Sequence, residues 1–282
     1  MYNFDSLKSN LTDLTQIARG GQKVVFSATH LTYGNVVLKL FFKVDLRSQR
    51  EIDINESSDF DCVPAIYEKG HIVYEGTDTL YVIEQRVDGE ELRKRIKRGE
   101  HFTLEEATDF LEQGLTFIKQ LESKSIVHRD IKPENIIVSP DGKVYFLDFG
   151  IARILGESSI TKTEAISGPH TPGYAAPEQF NNLKNDIDSR ADLFSLCVVT
   201  YECLSGKNPF SEGAKGHLEI LQRTETITPV SFQIPGDTQH QFMGLLSSLM
   251  GKLPSRRPNG ATQALSWLNG AKSTLQYKEI RK

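Results

Sequence analysis

Residues 126–150, IVHRDIKPENIIVSPDGKVYFLDFG, contain four polar side chains at short, defined intervals. Asp130 is followed by Lys132 and Asn135, and Asp148 comes after an intervening hairpin-like stretch. Carboxylate and amide oxygens are ligands that Mg²⁺ prefers, a carboxylate can accept a proton, and an ammonium group neutralises negative charge. A lone aspartate is more often a surface or capping residue. The ordered set of four therefore indicates a reaction site more strongly than any one of them.

Three motifs in order carry a family resemblance. The pattern HRDxKxxN at residues 128–135 precedes DFG at 148–150, and APE follows at 176–178. Together they resemble the signature of the protein kinase superfamily. The match is to the serine/threonine branch, is closest to the soluble, eukaryotic-like kinases of bacteria, and covers residues 14–270.

The elements that would position these motifs follow from the apolar pattern. Residues 1–16 are predicted to form a short polar helix or turn, and a short helix is expected at 47–54. From Thr103, an expected N-cap with Glu106 as its capping-box partner, the apolar spacing becomes helical. Strand-like runs dominate the first third of the chain, at residues 23–30, 35–44, 63–76 and 79–87.

The resemblance implies an α+β, bilobal fold with a β-rich N-lobe and a helical C-lobe. The implied boundaries are a kinase domain at 1–270, with the N-lobe at about 1–84, the hinge at about 85–89 and the C-lobe at about 90–270, and then a tail at 271–282.

The same resemblance assigns roles in phosphoryl transfer from ATP, a reaction that needs positioning and charge neutralisation more than covalent chemistry. Asp130 would orient the substrate hydroxyl and accept its proton. Lys132, typical of serine/threonine kinases, would steady the phosphoryl group. Asn135 and Asp148 would hold Mg²⁺, or Mn²⁺ in its place, through hard oxygen ligands. ATP and a divalent cation are therefore the expected cofactors.

Lys39, the last residue of VVLK, resembles the family's lysine that contacts the α- and β-phosphates. Taken alone, it would be interpreted as an outward lysine on a strand. Its acidic partner from the following helix is expected to be Glu51, with Asp53 and Glu56 as weaker alternatives.

The stretch IARGGQKVVF raises its own question, because two adjacent glycines between strands more often form an ordinary turn. It lies one hairpin before the VVLK lysine, where the family has its glycine-rich loop, with Ala18 and Lys23 in place of two glycines. We therefore interpret it as an altered nucleotide loop. Gly20 and Gly21 would let backbone amides approach the phosphates, and Val25 would lie over the adenine.

The segment YVIEQRVDG resembles the family's hinge. In an ungapped frame, Glu84 lies behind the adenine pocket, and a frame shifted by one places Ile83 there. The backbones of Gln85 and Val87 would bind adenine, and Ile137 would form the floor of the pocket.

The segment before APE contains three threonines of interest. Thr171 corresponds to the family's threonine that touches the catalytic aspartate and lysine and helps to admit a serine or threonine hydroxyl. Thr161 and Thr163 resemble autophosphorylation sites of bacterial members, and Arg129 is the cation that would bind such a phosphate.

Other matches are structural. Asp192 is expected to brace the catalytic loop from a buried helix, and Glu178 is expected to form an ion pair with Arg257. His128 belongs to the motif but is interpreted as a packing and hydrogen-bonding residue. Trp267 is expected to be a core residue on a carboxy-terminal helix.

Composition limits the function classes. The chain has 282 residues, 25% of them charged, and a formal net charge of −4, which disfavours a nucleic-acid partner. The basic run at 93–98 is interpreted as a solvated helix face rather than an anion-docking patch. No membrane segment or secretory signal is apparent, and three cysteines without metal or disulfide spacing favour a cytoplasmic setting.

We therefore expect an ATP-dependent serine/threonine kinase that phosphorylates protein hydroxyls and also itself. Two alternatives stay open. A small-molecule kinase of the aminoglycoside and choline type shares the Asp and Asn spacing but typically lacks DFG and APE. A pseudokinase scaffold is suggested only by the altered glycine loop. Phosphate transfer from labelled ATP to proteins and to metabolites would separate the three.

Overall fold

The computed structural model describes residues 3–21, 23–42, 52–54, 60–149, 153–154 (backbone only), 171–181 and 187–277. The chain divides into two compact units, Met1–Asp88 and Gly89–Lys282. The first is built on a β-sheet and the second mainly on helices, which agrees with the predicted β-rich and helical lobes.

The first unit begins with helix α1 (Phe4–Lys8) and continues into a five-stranded sheet. The strands are β1 (Leu11–Arg19), β2 (Lys23–His30), β3 (Gly34–Phe41), β4 (Ile66–Tyr74) and β5 (Thr77–Gln85). All neighbouring strands are antiparallel, in the order β1-β2-β3-β5-β4. Residues 52–54 are helical.

The two faces of this sheet differ because alternate residues of a strand point to opposite sides. On one face lies a large apolar core, to which Leu38, Leu40 and Ile83 contribute fully buried side chains. Helix α1 adds Leu7 to this core. The other face carries a smaller core made of Phe41, Ile52, Leu80 and Val82. Strand alternation thus puts the large core on one face of the sheet and the smaller core, together with Lys39, on the other.

The amino terminus differs from the prediction of a helix or turn over residues 1–16. The helix is confined to Phe4–Lys8, and Leu11–Arg19 forms the edge strand β1. Only Leu11 of this strand is buried, and two register irregularities interrupt its pairing with β2. An edge strand with one buried side chain has almost no apolar alternation, so the sequence pattern did not reveal it.

The second unit contains the other elements. Its helices are α2 (Leu92–Lys97), α3 (Leu104–Ser123), α4 (Pro177–Phe180), α5 (Ser189–Ser205), α6 (His217–Thr226), α7 (Gln241–Leu249) and α8 (Ala261–Lys272). Its strands are β6 (Glu90–Glu91), β7 (Ile126–Val127), β8 (Ile136–Val138), β9 (Val144–Phe146) and β10 (Arg153–Ile154). Strands β6, β8 and β9 form one small antiparallel sheet, and β7 pairs with β10. Short 3₁₀ turns occupy Pro133–Asn135 and Pro254–Arg256.

Helices α3 and α5 form the centre of this unit. The predicted capping box of α3 is confirmed, because Thr103 Oγ1 accepts from the Glu106 N–H at 3.2 Å and Glu106 Oε2 accepts from the Thr103 N–H at 2.8 Å. A Cβ at Gly114 would lie 2.5 Å from Leu196 Cδ1, so a glycine is needed for the two helices to approach. Helix α5 is buried on nearly all sides, which makes it a rigid support for the residues that it contacts.

The expectation that Trp267 lies in the core is wrong. Its side chain is 42% exposed on α8, whereas Ala264, Leu268 and Ala271 form the buried stripe of that helix. Trp267 is one residue from this stripe, about 100° around the helix axis. Helix α8 also shares a property of all the helices in the described ranges: none combines the length and apolarity needed to cross a membrane.

Candidate active site

The catalytic loop lies between β7 and β8, and its 3₁₀ turn folds two side chains back onto Asp130. Lys132 Nζ lies 2.7 Å from Asp130 Oδ2, and Asn135 Nδ2 donates to the same oxygen at 2.9 Å. Asn135 Nδ2 also donates to the Asp130 carbonyl at 3.0 Å. The side chains of Asp130 and Lys132 are 14% and 21% exposed, so the carboxylate is partly sheltered but reachable.

Thr171 completes this arrangement from a distant part of the chain. Its hydroxyl donates to Asp130 Oδ1 at 2.6 Å and accepts from Lys132 Nζ at 3.1 Å. The contact expected between Thr171 and the aspartate–lysine pair is therefore present. Each oxygen of Asp130 is engaged by a defined donor, which fixes the direction in which the carboxylate faces.

A buried carboxylate braces the loop from beneath, as predicted. Asp192, at the start of α5, accepts the backbone N–H groups of His128 and Arg129, both at 2.8 Å. Arg129 takes a left-handed conformation with φ of 71°, and its carbonyl accepts from Gln179 Nε2 at 2.9 Å. Burial raises the pKa of the Asp192 carboxyl to about 7.

His128 is a packing residue, in agreement with the sequence interpretation. Its ring is buried beside the rings of Phe117 and Phe149, with centroid distances of 6.1 and 4.8 Å. Nδ1 accepts from the Asp130 N–H at 3.3 Å, and burial lowers the pKa of the imidazole. The neutral His128 ring thus stabilises the conformation of the catalytic loop, through its packing and through the hydrogen bond that Nδ1 accepts.

A backbone contact joins Asn135 to Leu147, the residue before Asp148. The Leu147 N–H donates to the Asn135 carbonyl at 2.8 Å, which places the residue before Asp148 against the loop. Asp148 has φ of 64°, a conformation that non-glycine residues adopt mostly at special sites, and Phe149 behind it is fully buried. In both hydrogen bonds between the Asn135 side chain and Asp130, the Asn135 Nδ2 atom is the donor. An amide oxygen and a carboxylate are a donor set that fits Mg²⁺, which usually takes one or two protein ligands beside phosphate and water.

A second network, absent from the sequence interpretation, surrounds Arg93 on α2. Its guanidinium pairs with Glu134 and Glu202, each at 2.8 Å, and also contacts the Tyr174 hydroxyl. Tyr174 donates to Glu202 at 2.6 Å, and burial together with the Glu202 charge raises the pKa of its phenol. Arg93 is only 15% exposed, so the interpretation of residues 93–98 as a solvated face is wrong for this residue. No local pattern marks the network, because its members are far apart in sequence.

The predicted ion pair behind APE is confirmed. Arg257 donates to Glu178 through two nitrogens at 2.6 and 2.9 Å, and both side chains are almost fully buried. Arg257 also donates to the carbonyls of Gly251 and Arg190, at 2.7 and 2.9 Å. The APE segment is thus fixed to the body of the second unit.

In the first unit, the β-register assigns the predicted nucleotide residues to faces. Val25 pairs with Lys39 across β2 and β3, so their side chains share a face. Lys39 pairs with Val82 on β5, which puts Glu84 on this face and Ile83 on the other, where Ile83 is fully buried in the large core. Lys39 Nζ lies 2.9 Å from Glu84 Oε2. The geometry therefore supports the ungapped frame, because Glu84 on β5, and not Ile83, lies on the sheet face that bears Lys39.

The loop between β1 and β2 is closed by a hydrogen bond from the Gly20 N–H to the Lys23 carbonyl at 2.9 Å. A Cβ at Gly20 would meet no atom closer than 3.9 Å, and one at Gly21 would meet none within 4 Å. The packing of the described residues therefore does not itself require glycine at either position. Ala18 pairs with Val25, and Lys23 Nζ lies 5.6 Å from the centre of the Phe41 ring.

The hinge residues lie on both sides of the boundary between the units, and each is described in its own unit. The Gln85 N–H donates to the Ala65 carbonyl at 2.8 Å. Val87 is 9% exposed, and its N–H donates to no backbone acceptor in the described part of the chain, which fits a group that would donate to a base. In the second unit, Ile137 lies on β8, and a Cβ at Gly89 would lie 2.7 Å from its side chain.

Several predicted residues lie outside the described residues, namely Glu51, Glu56, Thr161 and Thr163. Asp53, the weaker alternative to Glu51, lies in the helical stretch 52–54 and is exposed.

Comparisons with known proteins agree with this geometry. A family profile described as the protein kinase domain matches residues 11–268. A probable serine/threonine-protein kinase PknB of Corynebacterium glutamicum is 32% identical over 225 residues, covering 76% of this chain and 34% of that protein. The serine/threonine-protein kinase PknA of Mycobacterium tuberculosis is 35% identical over 179 residues, covering 64% and 40%. A probable PknB of Bifidobacterium longum is 30% identical over 271 residues, covering 90% and 39%. The chain thus spans 34–40% of the length of these relatives.

Proposed function

Because the chain belongs to the protein kinase family, we propose that it transfers the γ-phosphoryl group of ATP to serine and threonine hydroxyls of proteins. One observation carries this proposal. Thr171 bridges Asp130 and Lys132, so a segment that precedes APE is joined to the carboxylate that would receive the hydroxyl proton.

The second unit supplies the groups for the transfer. Asp130 accepts the proton of the substrate hydroxyl while the hydroxyl oxygen bonds to the γ-phosphorus and the bridging oxygen leaves with ADP. Lys132, 2.7 Å from Asp130, neutralises charge that develops on the transferred group. Asn135 and Asp148 would hold the divalent cation, Mg²⁺ or Mn²⁺. Bound nucleotide and cation supply the phosphoryl group and the positive charge at its oxygens.

The first unit supplies groups for the nucleotide. Lys39 would bind the α- and β-phosphates, and the Gly20–Gly21 backbone would approach them. Val25 and Glu84 share the face of Lys39, and Val87 has a backbone donor suited to adenine. Gln85 would contribute its carbonyl.

The alternatives have less support. A small-molecule kinase would not need the APE segment, which here is anchored by the buried pair of Glu178 and Arg257. A pseudokinase scaffold would not need Asp130, Lys132 and Thr171 in mutual hydrogen-bond contact.

Two further proposals, on self-modification and on cellular setting, rest on the sequence. We propose autophosphorylation at Thr161 or Thr163, with Arg129, next to the catalytic Asp130, as the cation that receives the phosphate. A cytoplasmic setting is proposed because the three cysteines have neither metal-ligand nor disulfide spacing in the sequence and the reaction consumes ATP.

The test is phosphoryl transfer to added proteins and to the chain itself, measured by intact mass and peptide mapping after incubation with Mg·ATP. Asp130→Asn should lower both by about two to four orders of magnitude, the usual contribution of a positioned proton acceptor. Asp109→Asn is the matched control, because this aspartate is exposed on α3. Undiminished transfer by purified Asp130→Asn would contradict the assignment, and phosphate confined to residues other than Thr161 and Thr163 would contradict the proposed self-modification.

A further inference from the structure

The ion pair between Lys39 and Glu84 is built into the sheet itself. The two residues are diagonal neighbours on adjacent strands, since Lys39 pairs with Val82 and Glu84 with Val37. Diagonal neighbours on one face are within reach of each other when both side chains are long. The 2.9 Å separation of Nζ and Oε2 is therefore a direct result of the strand register.

This pair is also sheltered from water. The side chains of Lys39 and Glu84 are 14% and 8% exposed, and Val82 beside them is 2% exposed. A carboxylate in such a place costs desolvation free energy unless a cation accompanies it. Salt would screen this pair much less than an exposed one. Glu84 and Lys39 thus constrain each other within a rigid element.

We propose that Glu84 is a positioning residue that holds the Lys39 ammonium in place from within the sheet. In the general kinase scheme, the corresponding lysine is oriented by a glutamate from the neighbouring helix, and movement of that helix controls the pair. Here a carboxylate on β5 also holds the ammonium, from within the sheet rather than from that helix. This inference rests on the proposed role of Lys39 in binding the phosphates.

The proposal distinguishes charge from shape. Glu84→Gln keeps the size of the side chain and a carbonyl oxygen but removes the charge that retains the ammonium. Glu84→Asp keeps the charge but withdraws it by one methylene. The matched control is Glu68→Gln on β4, because Glu68 is a partly buried carboxylate of the same sheet that accepts from the Tyr81 hydroxyl at 2.6 Å.

The experiment measures Mg·ADP affinity by calorimetry and, separately, the KM values for ATP and for a peptide substrate. Loss of one charge-assisted contact corresponds to about a tenfold change in affinity. We therefore expect Glu84→Gln to raise the Mg·ADP Kd and the ATP KM about tenfold, with the peptide KM unchanged. Glu84→Asp should recover part of the affinity, and Glu68→Gln should match the parent.

Two results overturn the proposal. One is a folded Glu84→Gln protein with the parent's Mg·ADP affinity, and the other is an equal loss of affinity in the control Glu68→Gln. If Glu84→Gln does not fold, Glu84→Asp decides, because the proposal requires its Mg·ADP affinity to be weaker than that of the parent and of Glu68→Gln. Because binding needs no phosphoryl transfer, a parent protein that binds Mg·ADP but transfers nothing would refute the proposed function and still leave this inference to be judged by the Kd values.

Discussion

At the scale of single residues, the site depends on a triangle of short contacts. Asp130, Lys132 and Thr171 each contact the other two, at 2.6 to 3.1 Å. The Thr171 hydroxyl acts in both directions, as a donor to the carboxylate and an acceptor from the ammonium. A methyl group in its place would leave both charged groups without that partner.

We predict that Thr171→Val lowers kcat/KM for a protein substrate by about tenfold to a hundredfold, because hydrogen bonds to charged groups contribute about 1.5–3 kcal/mol. Thr171→Ser keeps the hydroxyl and should stay within about threefold of the parent, less than 1 kcal/mol. Steady-state kinetics with one peptide in serine and threonine versions checks both variants. A loss of activity in Thr171→Ser with none in Thr171→Val would show that the methyl group, not the hydroxyl, matters.

At the scale of elements, a helix sets the shape of a loop that has little regular structure of its own. Asp192 on α5 accepts hydrogen bonds from the consecutive N–H groups of His128 and Arg129, and Arg129 itself has a positive φ. Helix α5 is buried on nearly all sides, so the carboxylate has a fixed position. The buried helix α5 therefore fixes the conformation of the catalytic loop.

The raised pKa of Asp192 predicts a pH dependence of stability. Its carboxyl has a folded pKa of about 7 against an ordinary value of 3.8, so between these values the folded state retains a proton that the unfolded state releases. Its contribution is complete below pH 3.8 and is lost as the pH rises through about 7. Relative to Asp192→Asn, the parent should lose up to about 1.4 kcal/mol of unfolding free energy per pH unit in this window.

Urea unfolding of the parent and of Asp192→Asn at several pH values from 4 to 7.5 checks this prediction, with Asp109→Asn as the exposed control. The control should follow the parent. Parallel curves for the parent and Asp192→Asn would show that the carboxyl titrates alike in the folded and unfolded states.

At the scale of the whole molecule, each unit has its own core and its own part of the proposed chemistry. The first unit carries Lys39 and Glu84 on one sheet face. The second unit holds the catalytic loop on α5 and anchors the APE segment through Glu178 and Arg257. A buried pair of this kind specifies an arrangement more than it adds stability, yet the loss of one partner leaves an uncompensated buried charge.

We predict that Arg257→Ala lowers the unfolding free energy of the second unit by about 3–5 kcal/mol, since it leaves Glu178 charged and unpaired in the core. Arg256→Ala, at the exposed neighbouring position, should change it by less than about 0.5 kcal/mol. Thermal and denaturant unfolding measure both variants. A fully folded Arg257→Ala protein with the parent's stability would mean that water or another cation replaces the guanidinium.

Much of the site could be predicted from sequence, because its parts lie close together along the chain. Asp130, Lys132 and Asn135 fall within six residues, and the local turn brings them into contact. Thr103 and Glu106 formed the predicted capping box for the same reason. When the interacting residues lie two to five positions apart, their spacing in the sequence is enough to predict the contact between them.

Other features required the tertiary structure. The partner of Lys39 depends on the register between β3 and β5, because a shift of one residue would exchange Glu84 for Ile83 on that face. The Arg93 network joins residues that are between 28 and 109 positions apart, and the exposure of Trp267 depends on which side of α8 meets α3.

The sequence by itself therefore determined the motifs whose family resemblance implies the fold class and phosphoryl transfer, and also the local turns, which rest on interactions within a few residues. Only the tertiary structure decided which distant charges meet, because strand register and helix packing balance many weak contacts over the whole core.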